Sequence, residues 1–119
     1  MNTKERMAMQ PTSEVIAKMV KQRNKGTEDC VTSTFIATQI GLTAPELNSF
    51  LIDKKVLRRF RKERKLLLTP KHQDMGIAKY RSRFAYDNNG QLFEYVFPVW
   101  TKKGVSFLAE KLGTTLKYK

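Results

Sequence analysis

One stretch limits the fold more than any other: Gly41-Leu42-Thr43-Ala44-Pro45-Glu46. Thr43 is a good N-cap, proline is tolerated in the first helical turn, and Glu46 stands where its carboxylate can return to the cap amide. A helix therefore opens here, with Leu47, Phe50, Leu51 and Val56 continuing its apolar face. Ahead of it, Ser33 to Ile40 reads as a short helix with Phe35, Ile36 and Ile40 apolar, closed by Gly41. Two short helices joined by a turn at Gly41-Leu42 have the geometry of a helix-turn-helix. Ala37 supplies a small residue where the second helix crosses the first, and Gly41 supplies the turn glycine four residues later. Leu42 plugs the turn, while Leu47 and Phe50 or Leu51 pack the second helix back. An ordinary helical hairpin uses the same residue types, so the surrounding charge has to arbitrate.

The charge is large and unevenly placed. The chain carries 23 Lys+Arg against 11 Asp+Glu, a formal +12. Lys54, Lys55, Arg58, Arg59, Arg61, Lys62, Arg64 and Lys65 face only Glu63, a local +7 and more than half of the excess. Evenly solvated surfaces intersperse both signs, so this clustering reads as an electrostatic footprint for phosphates. Lys79, Arg81 and Arg83 alternate along a strand-like segment, and Lys111, Lys117 and Lys119 add charge near the C-terminus. A solubilising charged face is the plainer reading. An arginine-rich run beside a helix-turn-helix pattern favours phosphate contact.

The remaining segments fill in an order. Residues 1–12 read as a flexible arm and residues 13–119 as one domain with a short basic tail. Ser13 can cap a first helix with Val15, Ile16, Met19 and Val20 on one face, stopped near Gly26. Thr27 to Val31 is a connector with room for a short strand. Leu66 to Thr69 reads as a buried strand ended by Pro70, and Lys71 to Gly76 as a turn. Asn89-Gly90 between aromatic-rich segments is a strong β-hairpin signal. Pairing Asn88 with Gln91 sets Tyr86 opposite Phe93, Phe84 opposite Tyr95 and Ser82 opposite Phe97. That register gathers the aromatics on one face, with Arg81, Arg83 and Glu94 on the other. A three-residue loop would oppose Phe84 and Glu94 and is disfavoured on that ground. Thr101-Lys102-Lys103-Gly104 leads into a last helix with Val105, Phe107, Leu108 and Leu112, stopped by Gly113.

Composition narrows the class. At 119 residues the chain can bury roughly two-thirds of its unfolded surface, enough for one core. A single cysteine excludes an internal disulfide and a multi-cysteine zinc site, and fits a reducing, cytoplasmic setting. No apolar run approaches the roughly 20 residues of a membrane span, and the polar N-terminus leads into no signal core. Catalysis has little support: neither a Walker loop, a GxGxxG nor a GxSxG is present. His72, the single histidine, reads as a satisfied surface side chain without ligand partners. Cys30, beside Glu28 and Asp29, reads as a semi-buried structural thiol whose thiolate is disfavoured. The expectation is a non-enzyme with no cofactor, catalytic residue or metal.

Helix, short strand, helix, helix, strands, long hairpin, helix is the order of an α+β winged helix-turn-helix domain. The chain also resembles the KilAC domain, the C-terminal DNA-binding domain of phage antirepressor proteins. The similar positions are Phe35-Ile36-Ala37-Thr38-Gln39-Ile40-Gly41-Leu42, then Leu67-Leu68-Thr69-Pro70 with Gln73-Asp74-Met75-Gly76, then Val99-Trp100-Thr101-Lys102-Lys103-Gly104. The resemblance runs from about Ser13 to Gly113. It implies a winged helix, phage or prophage origin and interference with repression. Family members usually carry a separate N-terminal domain, and the run from Arg58 to Lys65 is more basic than the family pattern.

In a helix-turn-helix the second helix reads base edges with its outward N-terminal residues, here Thr43, Ala44, Asn48 and Ser49. The Asn48 amide can bond adenine N6 and N7 together. Lys54, Lys55, Arg58, Arg59, Arg61, Lys62 and Arg64 would hold phosphates, with Lys79, Arg81 and Arg83 on the hairpin as further contacts. The tip, Asp87 to Gly90, reads as a plain turn. The expected partner is double-stranded DNA, in the cytoplasm or at the nucleoid, with a homodimer allowed although no dimer seam is visible. The alternative is a protein-interaction module, an antirepressor that binds a repressor or host factor through the aromatic hairpin face. RNA binding by the basic run is weaker, because the aromatics are needed for the core.

Overall fold

In the computed structural model, residues 12–119 are described; the expected arm, apart from Thr12, lies outside the described residues. Among the described residues, four helices and four strands follow one another. Helix α1 (Ser13–Arg23) and the connector lead to α2 (Ser33–Gln39) and α3 (Ala44–Asp53). Next come β1 (Leu57–Phe60), β2 (Lys65–Leu68) and a 3-10 turn at Pro70–His72. The long strands β3 (Ala78–Tyr86) and β4 (Leu92–Trp100) and helix α4 (Lys102–Leu112) complete the α+β domain.

Hydroxyl caps start each helix. Thr12, rather than Ser13, caps α1 by accepting from the Val15 amide at 3.2 Å, and Thr32 caps α2. At α3 the capping box forms in full, with Glu46 N donating to Thr43 Oγ1 and Thr43 N to Glu46 Oε1. The turn before it holds Gly41 at φ +72°, a left-handed conformation that glycine adopts without Cβ strain. Ile36 and Ala37 of α2 and Leu47 and Leu51 of α3 are fully buried, while Leu42 packs against the same cluster. Phe35 points outward, and α1 has no buried residue.

The sheet is mixed, in the order β1-β2-β4-β3, with β2 parallel to β4 and the other pairs antiparallel. Strand β1 was not expected: most of the basic run is woven into a hairpin, with Leu57 opposite Leu68 and Arg59 opposite Leu66. Leu57, Leu66 and Leu68 bury their side chains beside Ile77, Trp100, Val105 and Leu108. A second bridge, Val31 to Trp100, joins the connector to the sheet, and Trp100 Nε1 donates to Ser33 Oγ at 3.0 Å. Thus the fully buried indole also satisfies its only polar group. Helix α4 begins at Lys102, with Thr101 as its cap, and Gly104 sits against the Ile77 backbone.

The long hairpin takes the register that the sequence argument disfavours. Tyr86 pairs with Leu92, Phe84 with Glu94 and Ser82 with Val96. Asp87 decides this: Asn89 N and Gln91 N both donate to its Oδ1 at 2.9 Å, while Gly90 takes φ +74°. The result is a three-residue loop with a left-handed glycine, a standard hairpin closure. Glu94 is tolerated opposite Phe84 because Ser82 Oγ donates to it and Arg23 Nε lies 3.3 Å away. The shift by one residue also regroups the faces. Tyr95 and Phe97 now share a face with Arg83, rather than lying opposite it.

Candidate nucleic-acid interface and basic–aromatic cleft

Hairpin β1–β2 displays most of the basic run. Lys54 and Lys55 follow α3, Arg58 and Arg59 lie on β1, and Arg61 and Lys62 occupy the turn; all six are exposed. None of them forms an ion pair among the described residues, where the three pairs are Arg23–Glu94, Arg64–Asp87 and Lys79–Asp29. Arg64 differs. It adopts φ +56°, stacks its guanidinium 3.8 Å from the Phe93 ring centroid and lies 4.0 Å from Asp87. Arg64 therefore ties the short hairpin to the long one, and its carbonyl accepts from Val96 N at 3.0 Å.

The strand series divides in the same way. Lys79 Nζ donates to Gly26 O at 2.8 Å and to Asp29 Oδ1 at 3.3 Å. Arg81 clamps Thr27, donating to its hydroxyl and its carbonyl at 2.8 Å each. With Ser82 N donating to Asn24 Oδ1, these bonds lay residues 24–29 along the edge strand and satisfy one of its outward backbone donors. Arg81 is half-buried, not on an open face as expected. Arg83 alone of the three turns to a different neighbourhood.

That neighbourhood is an open cleft of about 360 Å³ between α2, α3 and the sheet. Thr32 to Thr34, Ala44, Pro45 and Asn48 line one side; Arg59, Arg83, Tyr95, Phe97 and Pro98 line the other. Arg59 donates to the Tyr95 hydroxyl at 3.1 Å, and the Arg83 guanidinium lies 5.2 Å from the Tyr95 ring centroid. Tyr95 and Phe97 are near-parallel, 19° apart with centroids at 6.2 Å. Asn48 Oδ1 is buried without a hydrogen-bond partner among the described residues. Buried carbonyls are nearly always paired, so this one is an acceptor not committed to its own fold.

Of the four residues expected to read bases, Thr43 spends its hydroxyl on the capping box, Ala44 and Asn48 line the cleft, and Ser49 is exposed. Sequence reasoning missed the cleft partners Tyr95 and Phe97 because the register argument placed them with the core aromatics. A signal was present in Asp87, whose side chain favours the tighter loop.

His72 and Cys30 face inward. His72 is buried, 6% exposed, which corrects the surface reading: Nδ1 shares a 2.8 Å hydrogen bond with Thr69 Oγ1, and the ring meets Phe107 edge-on. Burial, then the charges of Lys71 and Lys111, hold its pKa below the ordinary value. Cys30 is buried beside Asp29, and burial first, then that carboxylate, pushes the thiol pKa up, away from nucleophile chemistry. No cluster of three or more His, Cys, Asp or Glu side chains suited to a metal occurs among the described residues. Among the described residues, no helix is long and apolar enough to cross a membrane.

Fold and surface define a small α+β domain that gathers cationic side chains, without ion pairs among the described residues, on one hairpin and along one cleft. The sequence model of the phage antirepressor protein KilAC domain matches residues 22–115. The chain belongs to that family, and the family makes it a phage regulatory protein. No curated protein and no solved structure matches it.

Proposed function

We propose that the chain is a winged helix-turn-helix module that binds double-stranded DNA in phage or prophage regulation and catalyses no reaction. The observation that carries this reading is the row of exposed cations from Lys54 to Lys62, without ion pairs among the described residues, running from the end of α3 along hairpin β1–β2. Helix α3 enters the major groove in this reading, and Ala44, Asn48 and Ser49 meet base edges. Lys54, Lys55, Arg58, Arg61 and Lys62 hold the phosphates, which fixes register without reading sequence. The short hairpin, rather than the tip of the long one, is the charged wing. Asp87 at the long tip is committed to its own loop and carries the sign that DNA repels. The setting is the bacterial cytoplasm. In vitro selection of binding sites from random duplexes tests the reading. A defined consensus that Asn48→Ala plus Ser49→Ala relaxes is the expected result; the same enrichment from the double variant would overturn base reading by α3.

The family's description as an antirepressor favours a second reading, in which the domain binds a repressor protein. Capture of a repressor from nuclease-treated lysate, unaffected by Arg58→Gln plus Arg61→Gln, would replace the DNA reading with this one.

A further inference from the structure

We propose that the cleft between α3 and the sheet is a nucleotide site selective for adenine. Three features of its wall converge on that chemistry. First, Arg59 and Arg83 bring two guanidinium groups to it, neither in an ion pair among the described residues, and the lining holds no carboxylate. Arg59 spends one N–H on the Tyr95 hydroxyl and Arg83 lies over the Tyr95 ring, so N–H groups remain for a phosphate. Second, Tyr95 and Phe97 offer near-parallel rings, the surface on which a base stacks. Third, the Asn48 carboxamide has a buried carbonyl without a partner, so turning it toward a ligand breaks no protein hydrogen bond to that atom. A carboxamide of this kind pairs with adenine N6 and N7 together, its oxygen accepting and its nitrogen donating. The cleft volume of about 360 Å³ lies in the range of small-ligand pockets. An acidic side chain of a protein partner would satisfy the arginines but leave the rings and the carboxamide unused.

Asn48 also serves the duplex reading, so the test uses no duplex. Isothermal titration with 5′-deoxyadenosine monophosphate should show saturable binding of one nucleotide per chain. Arg83→Gln and Arg59→Gln should each weaken it at least about tenfold, whereas Lys103→Gln, exposed in the first turn of α4, should leave it within about twofold. Asn48→Leu should erase the preference over 5′-deoxythymidine monophosphate while the thymidine nucleotide still binds, and this readout separates base recognition from damage to the fold. A short deoxyadenosine oligonucleotide distinguishes the source. Tighter binding than the mononucleotide, with the same dependence on Arg83, assigns the site to an unpaired strand; equal binding assigns it to the free nucleotide. Pyrophosphate binding as tightly as the nucleotide, or equal losses from Lys103→Gln and Arg83→Gln, would overturn the proposal. Failure of duplex binding would leave it untouched.

Discussion

Two buried positions carry consequences that single substitutions can read. Gly104 lies so close to the Ile77 carbonyl that a Cβ would collide with backbone, not with a side chain able to swing away. Gly104→Ala must therefore lift α4 from the sheet, at a cost of about 3 kcal/mol in urea unfolding. An unchanged midpoint would show that α4 is not seated there. His72 makes stability depend on pH. Its pKa is lowered in the folded state, so the unfolded chain binds more protons just below the ordinary value of 6.5. The stabilisation is full above that value, declines as pH falls through it, and levels off below the folded pKa. Melting at about pH 7.5 and about pH 5.5 should show a smaller drop for His72→Gln than for the parent chain. Equal drops would mean that His72 titrates alike in both states.

Helices were more legible than strands, because what starts and stops a helix is local. Thr43 and Glu46 announce α3 within four residues, and the capping box forms as read. Thr43→Ala should cost about 1 kcal/mol of stability, measured by chemical denaturation. Strand β1 was hidden because Arg58 and Arg59 look like solvated charge, and the turn at residues 61–64 contains no Gly, Asn or Pro. Arg64 takes the left-handed position itself, held by Phe93 and Asp87. In the long hairpin a one-residue choice of loop reversed which residues share a face, and no strand propensity could decide it. Asp87 and Gly90 decided it together. Gly90→Val, which puts a branched Cβ at φ +74°, should cost about 1–2 kcal/mol and broaden the amide spectrum of the hairpin. The cleft could not be read from sequence at all, since its walls come from five separated segments that only the folded sheet brings together.

At the scale of the whole molecule, family membership and charge placement point the same way. The sheet sorts the basic residues into two groups that the sequence alone shows as one footprint. Arg64, Lys79 and Arg81 are consumed in holding hairpins and loops together. Lys54, Lys55, Arg58, Arg61 and Lys62 are left facing solvent without carboxylate partners among the described residues. The +12 is therefore part scaffold and part solvent-facing charge, which the proposed function assigns to DNA contact. Duplex affinity measured across a salt series tests this division most directly. With about six phosphates neutralised, log affinity against log salt should fall with a slope near −5. Arg58→Gln, Arg61→Gln and Lys62→Gln together should flatten that slope by about 3, one for each lost phosphate contact. No binding at about 50 mM salt, or a slope the triple variant leaves unchanged, would contradict the account.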